Sequence, residues 1–202
     1  MALSIADLPR VPMDVYLQDE RGRRDRHEYL EGHVYAMAGE SEAHGTICVN
    51  LVAALRTQLR GGPCRVFTQN MKVRCGPYRR GNLEGLFAYP DLVVVCGARQ
   101  YLDEVQDVLL NPSLLLEVLS PSTAAYDRGE KFERYRTWLP TLQDYILVAQ
   151  ERPAVDHFQR ATGWDSQQLT GPEAVLELAT IGCHISLQEI YDDVVFTTPE
   201  AL

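Results

Sequence analysis

The succession of apolar patterns along this chain predicts a mixed sheet flanked by helices, in the α/β or α+β class. Three observations carry that reading. Helical spacing recurs at residues 41–59 and 127–139, with strand-like segments between and after. Two runs of branched apolar residues, Leu92–Val95 and Leu114–Leu119, read as central strands covered on both faces. The 202 residues, 46% hydrophobic and 23% charged, suit one large domain over 1–202 whose core needs neither disulfides nor a structural metal.

Pro12, with Met13, Val15, Tyr16 and Leu17 after it, opens a short helix over residues 12–19. Residues 27–37 form a hairpin turning at Glu31-Gly32. His44, Ile47, Cys48, Leu51, Val52, Leu55 and Leu59 recur at three and four, the apolar face of a helix that Gly61-Gly62 ends. Strands follow at Arg65–Arg74, Leu86–Cys96 and Leu114–Leu119. Pro121-Ser122-Thr123 breaks the last of them, and a second helix runs from Asp127 to Leu139, closed by Pro140. Residues 144–149 and 153–160 read as a strand pair joined at Glu151-Arg152. A short strand near 175–178 and a helical turn around 187–191 complete the chain, which has no internal repeat and no dividing linker.

No apolar run approaches the ~18 residues needed to span a bilayer. The first seven residues lack a basic segment followed by an apolar one, which predicts a cytoplasmic chain without a signal peptide. Five widely spaced cysteines (Cys48, Cys64, Cys75, Cys96, Cys183), never in a C-x-x-C pair, read as reduced core thiols. The net charge of −9 excludes a protein that coats nucleic acid. It still allows contact over a small patch, and the basic clusters are Arg21 to Arg26 and Arg79-Arg80.

Two acids stand where acids are expensive. Asp91 opens the Leu92–Val95 run, and Glu117 lies inside Leu-Leu-Leu-Glu-Val-Leu. A carboxylate there costs several kcal/mol unless it is paired, hydrogen-bonded or bound to a cation. The bland alternative is that an arginine of a neighbouring element meets Glu117. Two such acids followed by a helix carrying Lys131 and Tyr135 favour a divalent cation, Mg2+ or Mn2+, held by hard oxygen ligands. A lysine beside that ion can position water or neutralise charge on a phosphoryl oxygen, as phosphodiester hydrolysis requires.

Those same residues carry a family resemblance. Tyr89-Pro90-Asp91, Leu-Leu-Glu117-Val-Leu-Ser-Pro-Ser-Thr and Asp127-Arg-Gly-Glu-Lys131 resemble the Uma-type putative restriction endonuclease family, a bacterial branch of the PD-(D/E)XK nuclease superfamily. The likeness extends to His27–Gly32, Met37–His44, Gly62–Phe67 and Asp144–Val148, and covers roughly residues 10–192. It implies a restriction-endonuclease-like mixed central sheet, with metal at Asp91, Glu117 and the backbone carbonyl of Val118. The superfamily lysine normally lies two residues after the glutamate, where this chain has Leu119. In families with that change the lysine moves to the following helix, which makes Lys131 the match. His44 and Glu28 match recurrent family positions; His33 stands where an acid is common.

The implied activity is a metal-dependent endonuclease acting on DNA, with homodimerisation known for some members. Residues Tyr145 to Phe158 offer a sheet edge or an apolar patch for pairing. Two other functions compete: an inactive nucleic-acid-binding or regulatory module, favoured by the lysine change and the acidic charge, and a metal-dependent hydrolase of a small phosphate compound. On the nuclease reading, several of Arg21, Arg23, Arg24, Arg26, Arg65, Lys72, Arg74, Arg79 and Arg80 should rim the acids.

Overall fold

The computed structural model describes residues 10–77 and 81–196. Helix α1 (Met13–Gly22) follows Pro12, and a hairpin of β1 (His27–Leu30) and β2 (His33–Ala36) comes next. Its turn residues Glu31 and Gly32 both have positive φ, 47° and 93°. That is the geometry of a turn matching the strand twist. Helix α2 (Glu42–Gln58) is capped by Ser41, whose side chain accepts the His44 N–H.

The two long extended stretches each divide. Residues 65–74 become β3 (Cys64–Thr68) and β4 (Lys72–Cys75), and residues 86–96 become β5 (Leu86–Ala88) and β6 (Leu92–Cys96). The division falls at Gln69–Met71 and at Tyr89-Pro90-Asp91. Proline cannot donate to a ladder, so Pro90 suits the second of these breaks. After β7 (Val108–Leu109) and β8 (Leu114–Leu119), the expected second helix is two pieces, α3 (Ala124–Arg128) and α4 (Glu130–Trp138), broken at Gly129. The chain ends with β9 (Asp144–Ala149), β10 (Ala154–Gln159), β11 (Ser166–Thr170), β12 (Val175–Leu178), β13 (Cys183–Ser186) and α5 (Leu187–Ile190).

The mixed sheet is six-stranded, in the order β11-β10-β9-β8-β6-β3, and only β8 and β9 run parallel. A five-stranded sheet, β2-β1-β5-β4-β7, and the β12–β13 hairpin accompany it. The divided stretches therefore switch sheets: β3 and β6 belong to the larger, β4 and β5 to the smaller.

Strand alternation sorts the core. Leu92, Val94, Leu114, Leu116 and Val118 pack with Ile47, Leu51 and Leu55 of α2. Val93, Val95, Leu115 and Leu119 join Phe132 and Tyr135 of α4 and residues of the smaller sheet, such as Val73 and Leu86. Tyr16 and Leu17 of α1 pack with Tyr29 and Phe87 in a third cluster. Period-2 alternation sends Glu117 the way of Leu115 and Leu119, toward the helix that carries Lys131.

Two expectations are corrected. Cys64 and Cys96 are not separate core thiols: they face each other in the β3–β6 register and are joined by a disulfide, while Cys48, Cys75 and Cys183 are free. The Tyr145–Phe158 pair offers no edge, because β9 is covered by β8 and β10 by β11. Among the described residues no helix is long and apolar enough to cross a membrane.

Candidate active site

Four elements contribute to one cluster of ionic side chains. The Lys131 ammonium of α4 lies 2.9 Å from Glu117 Oε1 on β8, 3.3 Å from Glu28 Oε1 on β1 and 3.3 Å from Asp127 Oδ1 on α3. Lys131, Glu117 and Asp127 are 4%, 5% and 3% exposed. Asp127 and Lys131 are four apart, and the break at Gly129 lies between them. The Tyr135 hydroxyl, one helical turn on, is 3.5 Å from Glu117 Oε1, and the Tyr126 ring centre is 5.9 Å from the ammonium. Tyr135 thus packs in the core, and its hydroxyl also borders the site.

Asp91 stands immediately before β6. The β6–β8 register pairs Val93 with Leu115 and Leu92 with Leu116, and one further step sets Asp91 opposite Glu117. Its Oδ2 accepts the Val118 N–H at 2.7 Å and lies 3.3 Å from His44 Nε2. A strand end explains why this acid is tolerated: its side chain keeps contact with solvent, as do those of His44 and Glu28. Glu28 is held by the N–H of Tyr89, which donates to Oε1 at 3.0 Å, so the sheet-switching segment bonds to β1 of the smaller sheet through Tyr89 and to β8 of the larger through Asp91.

The acids outnumber the cations. Glu28, Glu117 and Asp127 surround one ammonium, with Asp91 beside them. Burial pushes Glu117 well above the usual carboxylate range; Lys131 opposes this, and Asp127, Asp91 and Glu28 add to it. Burial would lower Lys131, but Glu117, Glu28, Tyr135 and Asp127 hold it well above the ordinary lysine value. The cluster therefore keeps its lysine charged and holds more acids than cations. For His44, burial acts downward, and the Asp91 and Glu40 carboxylates outweigh it and raise the pKa. Burial, reinforced by Asp91 and Glu40, raises the Cys48 thiol, which stays protonated.

The expected metal and catalytic residues thus fall in two groups, Lys131 with Glu117 and Glu28, and Asp91 with His44 and the Val118 amide. Asp127 was not assigned a role from sequence, although its i,i+4 spacing to Lys131 was the available signal. The basic residues fare differently. Arg21 is tied to Asp103 and Asp107, and Lys72 is buried against Asp107. Arg65 donates to the carbonyls of Gly62 and Cys64, and Arg74 to that of Gly76. Arg23 and Arg24 are exposed on the loop leading into β1, and the Arg26 guanidinium stands 6.0 Å from the Tyr89 ring centre. Arg79 and Arg80 lie outside the described residues.

The family model Uma2, described as a putative restriction endonuclease, matches residues 13–188. This chain belongs to the Uma2 family. Two uncharacterised proteins of Synechocystis sp. are similar to it. One, slr1290, is 34% identical over 192 residues, covering 95% of this chain and 96% of its own. The other, sll1609, is 32% identical over 166 residues, covering 81% and 90%. Among solved structures, a putative nuclease belonging to DUF820 from Anabaena variabilis superposes with a TM-score of 0.74, spanning 92% of this chain and 99% of that one at 16% identity. That likeness establishes a common fold, a mixed α+β architecture.

Proposed function

We propose that this chain is a metal-dependent endonuclease hydrolysing DNA phosphodiester bonds. Asp91 and Glu117 hold a divalent ion, Mg2+ or Mn2+, together with the backbone carbonyl of Val118. The observation that carries the reading is the charge surplus: Glu28, Glu117 and Asp127 share the single Lys131 ammonium, and Asp91 adjoins them. Buried carboxylates left without counter-charge are costly, and an all-oxygen donor set of this kind fits a hard divalent cation. When bound, the ion supplies polarisation of a phosphoryl oxygen and a lowered pKa for a coordinated water.

The chain's own groups do the rest. Glu117 and Asp127 hold Lys131 charged and aimed at the acids, where its N–H groups stabilise negative charge on a phosphoryl oxygen or orient the attacking water. Glu28, fixed by the Tyr89 N–H, is a further acid at the rim. The exposed Arg23 and Arg24 supply phosphate contacts, which a chain at −9 can offer only over a small patch. The family description and the description of the Anabaena protein as a putative nuclease both support the nuclease class. A homodimer, presenting one site to each DNA strand, completes the proposal.

The test is plasmid nicking with and without Mg2+, alongside DNA binding across a salt series. Nicking that requires metal, and binding that strengthens with it, is the expected result. Metal-independent binding without nicking would replace the enzyme with a binding module. Cleavage of a generic phosphodiester but not of DNA would indicate a small phosphate substrate. Sedimentation at micromolar concentration checks the dimer.

A further inference from the structure

His44 brings a nitrogen donor to a site otherwise made of oxygen. Its backbone N–H is fixed by the Ser41 cap at 3.1 Å, which sets the first turn of α2 and aims the imidazole at the start of β6. Nε2 lies 3.3 Å from Asp91 Oδ2. On the far side of the ring, Nδ1 is 3.4 Å from Glu40 Oε2 and 3.6 Å from Cys48 Sγ. Donor atoms of His44, Cys48 and Asp91 all fall within 4.8 Å of one another.

We propose that His44 Nε2 is a ligand to the ion held by Asp91, and that the site takes a first-row transition ion in preference to Mg2+. This rests on the metal-nuclease reading and deepens it. Two donors bound to one octahedral ion at ~2.1 Å each stand roughly 3 Å apart, close to the separation of Nε2 and Oδ2. Metal-bound histidines characteristically give their other ring nitrogen to a carboxylate, which leaves the ligating nitrogen its lone pair, and Glu40 occupies that place. Imidazole is a ligand for transition ions, whereas Mg2+ takes oxygen donors and water. Cys48 contacts the Nδ1 side of the ring, so it orients the imidazole and is not itself the third ligand.

Mn2+ is the probe, because it is paramagnetic and stands at the weak end of the transition series, so a preference for it over Mg2+ is a demanding test. Pulsed electron paramagnetic resonance of the Mn2+-loaded wild type should show coupling to an imidazole nitrogen. In His44→Gln that coupling should vanish, while Mn2+ still binds through the acids, and the Mn2+-over-Mg2+ preference should fall about tenfold in competition titrations. Absence of nitrogen coupling in the wild type, absence of Mn2+ binding, or an unchanged preference in the variant would each overturn the assignment. The wild-type spectrum decides even if the variant fails to fold. Plasmid nicking separates the two levels: nicking without nitrogen coupling removes His44 as a ligand and keeps the nuclease, and coupling without nicking does the reverse.

Discussion

Around Asp107, two cations meet two carboxylates: Arg21 bridges Asp103 and Asp107, and Lys72 approaches Asp107 Oδ2 at 3.0 Å. Around Lys131, one cation meets three carboxylates. The consequences are opposite. Burial works to raise Asp107, but hydrogen bonds from Arg21 and Lys72 bring its pKa down to about 2. At Glu117 burial prevails with the help of neighbouring acids, and the proton is held more tightly. A balanced cluster is complete within the fold, and its desolvation is offset by its own contacts. An unbalanced one is stable only with an additional cation, a proton or a metal, which marks it as a place where something binds.

The comparison would break most visibly on activity. Asp91→Asn should reduce metal-dependent nicking about a thousandfold or more, from the several kcal/mol of transition-state stabilisation a bound ion provides. The balanced cluster gives the contrast: Asp107→Asn should leave nicking of the folded protein near wild type. Equal losses in both variants would remove the distinction.

Lys131→Met comes next in size. It leaves three acids with no counter-charge, and metal-free stability measured by urea denaturation should fall by about 3–5 kcal/mol. Added Mn2+ should restore part of that loss, because the ion binds only the folded form. A variant that melts like wild type without metal would show that Lys131 is not what neutralises the acids.

Acid titration sharpens the other side. The folded pKa of Asp107 lies below its ordinary value, so its contribution is complete above roughly pH 4 and is lost as the pH falls through about 2. The group is partly solvated, and screening reduces its contribution to the order of 1 kcal/mol. Urea midpoints at about pH 5 and about pH 2 should therefore converge for wild type and Asp107→Asn at the lower pH. A gap that persists there would assign the effect to packing.

The smallest expected effect is Glu117→Gln in the absence of metal. Burial and the neighbouring acids already weaken the charged form of Glu117, so a neutral glutamine of the same shape should change stability by less than about 1 kcal/mol. Mn2+ stabilisation of the fold should nevertheless drop sharply in thermal melts of this variant.

Much of the site was legible because it violates its surroundings. A glutamate inside Leu114–Leu119 contradicts the apolar environment that the run itself predicts, and Asp91 does so at the head of Leu92–Val95. Asp127 gave no such contradiction, since a charged pair at i,i+4 looks the same on an exposed helix as in a core. Residues 65–74 and 86–96 each read as one strand because extended propensity is local and carries no information about which sheet receives it. Pairing across β3 and β6 is likewise absent from the spacing of Cys64 and Cys96. Strand β11 escaped because Ser166–Thr170 is polar on both sides and has no period-2 signal. The basic residues misled most: charge can be counted in sequence, but whether Arg21 and Lys72 face DNA or Asp107 is decided by tertiary placement.

The segment Tyr89-Pro90-Asp91 works as a mortise between the two sheets. Its tyrosine amide grips Glu28 of the smaller sheet, and its aspartate receives the Val118 amide of the larger. The spacing between acids of different sheets is therefore set by main-chain joinery rather than by free rotation of side chains. An ion lodged there would work like a dowel, and pulling it out should loosen the seam between the sheets before either sheet frays.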